Sequence, residues 1–273
     1  MSETIPTDSA SLLELAESIS IPWDPYFNIV HCLLSCVAIR DDLGAKAIPF
    51  SRKHPLATWL ACMVAVFAGG LVCAPLLGKP ILSAIDDNQM ILFGTISWYL
   101  VFYTPFDLTI TLCKILPVKL VLYVMKEIHR VKKVSGGVTL GAKHYPGNFV
   151  IMLIIGTLKG NGAGFMKIFS RLVRGTWSPS AIEVLSPSFP TKAAIVSGVI
   201  FILKAHTELI SVPTTLICIG IGSFLVYSKL ASLFAIHESF IPLETAACSF
   251  VFGGVAAPAE GASESDKKAK KND

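Results

Sequence analysis

Lys126, Arg130 and Lys133 lie within the run KEIHRVKK at i, i+4 and i+7, a spacing that puts three cations on one helical face over two turns. Grouped ammonium and guanidinium ions can oppose several phosphate charges at once, and a basic pocket between membrane helices is a recognised head-group site for phosphoinositides. The competing reading is an ordinary helix terminus whose cations satisfy the negative end of the helix dipole. A fourth cation, Lys159, stands in GTLKGNGAG, between Gly156 and Thr157 on one side and Gly160, Asn161 and Gly162 on the other. A lysine centred in an apolar span costs roughly 2.5–3.5 kcal/mol on insertion scales, so it should face a wet cavity or an anionic partner. Hydroxyl and carbonyl oxygens at glycine breaks, such as those of Thr157, can contact a passing cation. A bare cation beside Lys159 would be repelled unless a phosphate or carboxylate cancels its charge, or the lysine acts as a gate. Asp107, just after Pro105, is the candidate carboxylate.

The elements that must position these groups follow from composition. Of 273 residues, 53% are hydrophobic and only 15% charged, with a mean hydropathy of +0.64; that is too little polar surface for a water-soluble globule of this size. A bilayer core needs roughly 20 mostly apolar residues per helix. Runs of about that length recur at 23–40, 56–78, 89–105, 109–131, 147–169, 189–208 and 214–234, giving an all-α integral membrane protein of about seven transmembrane helices. A β-barrel would alternate apolar and polar positions, which these blocks do not. The first twenty residues hold Glu3, Asp8, Glu14 and Glu17 and no Lys or Arg, the reverse of a cleavable signal, so the first span is expected to direct insertion. Basic residues gather after the first and fifth spans and in the tail, at Arg40, Lys46, Arg52, Lys53, Arg171, Arg174, Lys192 and four tail lysines. The positive-inside bias therefore places the C-terminus in the cytosol and segment 1–22 on the lumenal side.

The chain repeats itself. His54-Pro55 opens LATWLACMVAVFAGGLV and Tyr145-Pro146 opens GNFVIMLIIGTLKGNGAGF, with glycines at similar depth, Gly69-Gly70 in one and Gly156 to Gly164 in the other. A third pair of blocks, FGTISWYLVFYTPFDL and VSGVIFILKAHTEL, matches more loosely. Because a three-span unit is odd, its second copy enters the bilayer inverted, and inverted repeats put sites near the midplane at broken helices. The expected organisation is repeat one at about 23–107, repeat two at about 108–208 and a seventh helix at about 214–234, all within a channel domain at 23–240. The glycines cost around 1 kcal/mol each relative to Ala; helix breaks and close helix packing both account for them. From about Gly253 the composition cannot bury a core, so 241–273 is expected to be a disordered tail. Its end, Lys270-Lys271-Asn272-Asp273, is similar to a dilysine retrieval address or is a solvated basic tail.

Seven cysteines, at 32, 36, 62, 73, 113, 218 and 248, show no zinc spacing, and His31, Cys32 and Cys36 read as packing rather than as a metal site. An enzyme should show a nucleophile, base and orienter together; Glu208, His206 and His237 are only loose candidates, so no enzyme, no metal and no nucleic acid are expected. The order KEIHR, GGVTLGA, IGTLKGNGAG, a basic loop with RGTW, then SPSFPTKAA, with WYLVFYTPFDL upstream, resembles the trimeric intracellular cation (TRIC) channel family over roughly 23–234. The resemblance implies a homotrimer with one pore per protomer, conducting potassium across endoplasmic or sarcoplasmic reticulum as counter-current to calcium release. It also implies a phosphatidylinositol bisphosphate site on the lysine and arginine of a KEx2R segment, here Lys126 and Arg130, with Ile128 where the family commonly has Val. The glycine breaks with Gly69, Gly70, Gly156, Thr157, Lys159, Gly160, Asn161 and Gly162 are similar to the hinges that line the family's pore. The span boundaries put Lys126 and Arg130 toward the lumenal half, at odds with a cytosolic-leaflet lipid. A secondary transporter with inverted repeats is the alternative, although it would usually hold a buried carboxylate at the midplane.

Overall fold

The computed structural model describes residues 24–176, 183, 187–207 and 212–233. Segments 1–22 and 241–273, Glu208, His237 and the terminal lysines lie outside the described residues. Among those described, every regular element is helical. The chain runs α1 (Asp24–Leu43), α2 (Ala47–Lys53), α3 (Pro55–Val66), α4 (Ala68–Leu76), α5 (Asn88–Tyr103), α6 (Leu108–Lys114), α7 (Leu116–His144), α8 (Phe149–Phe165), α9 (Lys167–Val173), α10 (Phe189–His206) and α11 (Thr214–Leu233).

Local chemistry sets the starts of these helices. Prolines occupy the first turn of α3, α7 and α10, where the missing N–H costs nothing and φ is already helical. Asp87 caps α5 by accepting from Gln89 N at 2.9 Å and Met90 N at 3.2 Å, and Asn148 caps α8 through Ile151 N at 3.1 Å. Pro146 lies just ahead of that cap, in a turn closed by Gly147 at φ +81°.

Both middle helices of the expected repeats are broken. α3 and α4 meet at Phe67 with a bend of 63°. α8 is interrupted at Asn161, where φ is −137° and ψ 36°, and passes into α9 after Met166. The partners of these halves are reciprocal, α4 packing on α8 and α3 on α9, as an inverted pair requires. The crossing point is glycine on glycine: a Cβ on Gly162 would lie 2.4 Å from Gly69 Cα and N, and one on Gly69 would lie 3.1 Å from Lys159 O. Close packing accounts for further glycines on α7 and α8. Gly137 and Gly141 of α7, four apart, admit the backbone of α8, since their Cβ atoms would meet Gly156 Cα at 2.8 Å and Met152 Cα at 2.9 Å. Small residues at this spacing let membrane helices approach when no hydrophobic force drives them together.

Three helical segments are long and apolar enough to cross a membrane by length and composition, Phe149–Val173, Phe189–His206 and Thr214–Ala231, or five if each bent pair counts as one. α1 and α7, the other two expected crossings, have 20 and 29 residues; α1 carries charges at its two ends and α7 along its length. The fourth span differs from its expected 109–131. After α5 the chain bends by 100°, through Phe106 and Asp107, both at φ 55°, and the long helix α7 begins only at Leu116. Arg40 holds the elbow, donating to Val101 O and pairing with Asp107 at 2.8 Å. The run LTITLCK of α6 is as apolar as a span, so hydropathy alone could not separate it from α7. The correction moves Lys126 and Arg130 from the far end of a helix to the middle of one.

Replacing Gly162 by Ala puts a methyl against backbone that has no side chain to yield, so G162A is expected to lower stability by roughly 1–3 kcal/mol or more. G136A, whose Cβ meets nothing within 4 Å, is expected to be neutral or stabilising by up to about 1 kcal/mol. Thermal unfolding of the two variants in detergent, followed by size-exclusion chromatography, checks the contrast.

Candidate functional site

The crossing of the broken helices leaves space on each side of it. A first cavity of about 250 Å³ is lined by His31 of α1, by Lys126, Arg130 and Lys133 of α7, by Lys159 to Gly164 along the break in α8, and by Asp42 and Lys167 toward one end. A second, of about 410 Å³, is lined by Gly70, Ala84, Asp87, Gly136 and Leu140. Val66, Gly69, Lys133 and Lys159 line both, so these four form the wall between them.

The helical spacing read from sequence is realised: Lys126, Arg130 and Lys133 all face the first cavity. Arg130 is 5% exposed and lies 3.0 Å from the carboxylate of Glu127, itself 2% exposed. That separation makes an ion pair, but the groups are not aligned as a hydrogen bond, and Arg130 Nε and Nη1 have no hydrogen-bond partner. A buried guanidinium with idle donors is expensive unless something else engages it. Among the described residues, no carboxylate pairs with Lys126, Lys133 or Lys159. Counting its lining, the first cavity holds five cations, Lys126, Arg130, Lys133, Lys159 and Lys167, and one acid, Asp42.

That acid is already engaged. Asp42 accepts from Arg171 Nε at 3.1 Å and Nη2 at 2.6 Å and from Arg174 Nη2 at 2.6 Å, with Lys167 Nζ at 3.6 Å. Bidentate arginine geometry makes this a strong polar tie, and it fastens the end of α1 to α9. The sequence carried a signal for it: Lys167, Arg171 and Arg174 repeat the spacing of Lys126, Arg130 and Lys133. Its partner, more than a hundred residues away, carried none.

The break in α8 is held by a second acid that sequence reasoning missed. Asn161 Nδ2 donates to Thr191 Oγ1 at 2.7 Å and to Glu183 Oε1 at 3.2 Å. Glu183 Oε1 also accepts from Ser188 N at 3.0 Å and from the Thr191 hydroxyl. An amide and a carboxylate thus tie the side chain at the interruption of α8 to the start of α10. At the other break, Val66 O lies 3.0 Å from His31 Nε2, which is also 3.2 Å from Lys133 Nζ. A neutral imidazole nitrogen can donate to the carbonyl or accept from the ammonium, not both at once.

Of the remaining candidates, Gly69, Lys159, Gly160 and Gly162 line the first cavity and Gly70 the second. Gly156 and Thr157 line neither: Gly156 packs on α7, and Thr157 is buried with its hydroxyl lacking a partner. Asp107 does not face Lys159; it is held at the α5–α6 elbow by Arg40. His206 stands edge-on to Phe149, 4.9 Å between ring centres, in an apolar groove away from the cations.

Asp42→Asn keeps the shape of the side chain and removes the charge that three cations share. It is expected to destabilise the protein by on the order of 2–3 kcal/mol, because hydrogen bonds to charged partners lose most when one charge goes. Chemical denaturation in detergent, compared with an Asp41→Asn control, measures it.

The family model described as TRIC channel matches residues 44–235. The trimeric intracellular cation channel type 1B.2 of Caenorhabditis elegans is 42% identical over 246 residues, which are 90% of this chain and 79% of that protein. The solved structure of a C. elegans trimeric intracellular cation channel in the absence of Ca2+ superposes with a TM-score of 0.76 at 41% identity, covering 84% of this chain and 99% of that one. Another, presented as the structural basis for activity of TRIC counter-ion channels in calcium release, superposes at 0.74 with 28% identity, covering 82% and 99%.

Proposed function

The chain belongs to the TRIC channel family, and from that premise we propose that it is a potassium-conducting channel of the endoplasmic or sarcoplasmic reticulum, supplying counter-current during calcium release. The observation that carries the reading is the first cavity, which sets five cations against one acid at the point where two broken helices cross. A site so charged does not pass cations until an anion sits in it, and a polyphosphate head group supplies several charges at once. A phosphatidylinositol bisphosphate bound to Lys126 and Arg130 meets that need and gives the idle donors of Arg130 their partners. Lying midway along α7 and opening on the side of Asp42 and Lys167, the two residues are accessible from the end that the positive-inside bias assigns to the cytosol, with the C-terminus on the same side. The midway position of both residues on α7 supports access of a cytosolic-leaflet lipid head group in this reading.

The gate in this reading is the wall of Gly69, Lys133 and Lys159. A transmembrane voltage does about 2.3 kcal/mol of work per charge per 100 mV, so displacing one or two of these lysines is enough to bias opening. Relatives carry the word trimeric in their names, which supports self-association of this chain; a homotrimer with one pore per protomer is part of the same proposal. No enzymatic step is assigned to it.

Purified protein reconstituted in planar bilayers under a potassium gradient should give single-channel steps that reverse near the potassium equilibrium potential. Flux that appears only when a second solute is supplied would replace the channel with a transporter. Replacing Lys126 and Arg130 together by Ala should abolish copurifying phosphoinositide, as read by mass spectrometry of extracted lipid. An unchanged lipid content would remove the site from these residues.

A further inference from the structure

The second cavity has a different charge balance from the first. Two of its lining residues, Lys133 and Lys159, are cations shared with the first cavity, and Asp87 is the one carboxylate. Without that acid, the cavity would present an unopposed pair of ammonium groups and select anions. Asp87 is also held in place. As the N-cap of α5 its Oδ1 accepts from two backbone N–H groups, which fixes the rotamer and leaves Oδ2 without a hydrogen-bond or ion-pair partner among the described residues. The contrast with Asp42 is sharp, since Asp42 lines the first cavity but is consumed by Arg171 and Arg174. Neighbouring Asp86 does not line either cavity.

We propose that Asp87 is a charge-selecting residue at the mouth of the second cavity, concentrating monovalent cations there and opposing the anion preference that Lys133 and Lys159 would impose. This rests on the channel reading above. A lipid phosphate neutralises the lysines from the first cavity, but only Asp87 acts from the second, so charge selection on that side depends on one carboxylate. Its physical basis is local potential: a fixed negative charge at an aqueous mouth raises the concentration of cations and lowers that of anions, and the effect fades as salt shortens the Debye length.

The test is single-channel recording of the reconstituted full chain in low (about 20 mM) and high (about 1 M) potassium chloride, for wild type, D87N, D87S, D87E and D86N. Asn and Ser cap helices as Asp does, so D87N and D87S remove the charge while keeping the start of α5. In low salt both should reduce cation current entering from one side by about twofold or more, leave the opposite direction nearly unchanged, and shift the reversal potential toward chloride; in high salt the differences should vanish. D87E should behave as wild type, and D86N should too. Wild-type currents that persist unaltered in D87N and D87S at low salt would overturn the inference while leaving the channel intact, and an equal loss in D86N would overturn it as well, by dispersing the effect over the loop. A wild type that passes no cation current would fail at the earlier step and take this inference with it.

Discussion

The close crossing of two interrupted helices, with Gly69 backbone against Gly162, is the contact on which the rest of this structure depends. With a Cβ on Gly162 no more than 2.4 Å from its neighbour, neither helix could carry a larger residue there without moving the other. The crossing places Lys159 beside Lys133, separates the two cavities and brings halves of different repeats into reciprocal contact. Helix propensity opposes it and backbone proximity favours it. In a bilayer, where apolar side chains gain nothing by leaving lipid, proximity is the larger effect.

Charge follows from this geometry. Polar groups inside a membrane protein are tolerated where they face a cavity or one another, and both arrangements are present. Asp42 with its arginines, and Glu183 with Asn161 and Thr191, are closed networks whose members satisfy each other. The face of α7 is open, with cations turned toward space and with Glu127 in direct ion-pair contact with Arg130. Closed networks fix helices in place, whereas an open one creates a demand for a ligand of opposite charge. That both kinds use the same i, i+4, i+7 spacing, at 126, 130, 133 and at 167, 171, 174, shows how little a spacing says about purpose until the partner across the interface is known.

The paired glycine breaks and the cationic face of α7 were legible in the sequence because each is a local pattern: a residue type at a given depth, a stripe. The elbow at Phe106 and Asp107 was not, since left-handed backbone at two non-glycine residues has no compositional mark and α6 is as apolar as a crossing. Misreading those seven residues shifted the register of α7 and with it the depth of Lys126. Asp42, Glu183 and the true partner of Asp107 were missed for another reason: each is defined by a residue distant in the chain, and sequence spacing does not encode distance in space. Thr157, whose hydroxyl looked suited to an ion, is buried and lines neither cavity because a helix shows its neighbours different faces every 100°.

The glycine crossing also bears on how the protein is made. Gly162 is synthesised 93 residues after Gly69, and at ordinary rates of roughly 5–20 residues per second the first broken helix waits on the order of ten seconds for the second. Through that interval the turn at Phe67 has no opposing backbone, although Phe67 keeps its own bonds, its N donating to Met63 O and its O accepting from Leu71 N, each at 2.9 Å. His31, translated earlier, is already at hand to bond Val66 O. The first repeat therefore carries its own provisional seal for the break, formed within a single inserted unit before the partner that completes the cavity exists.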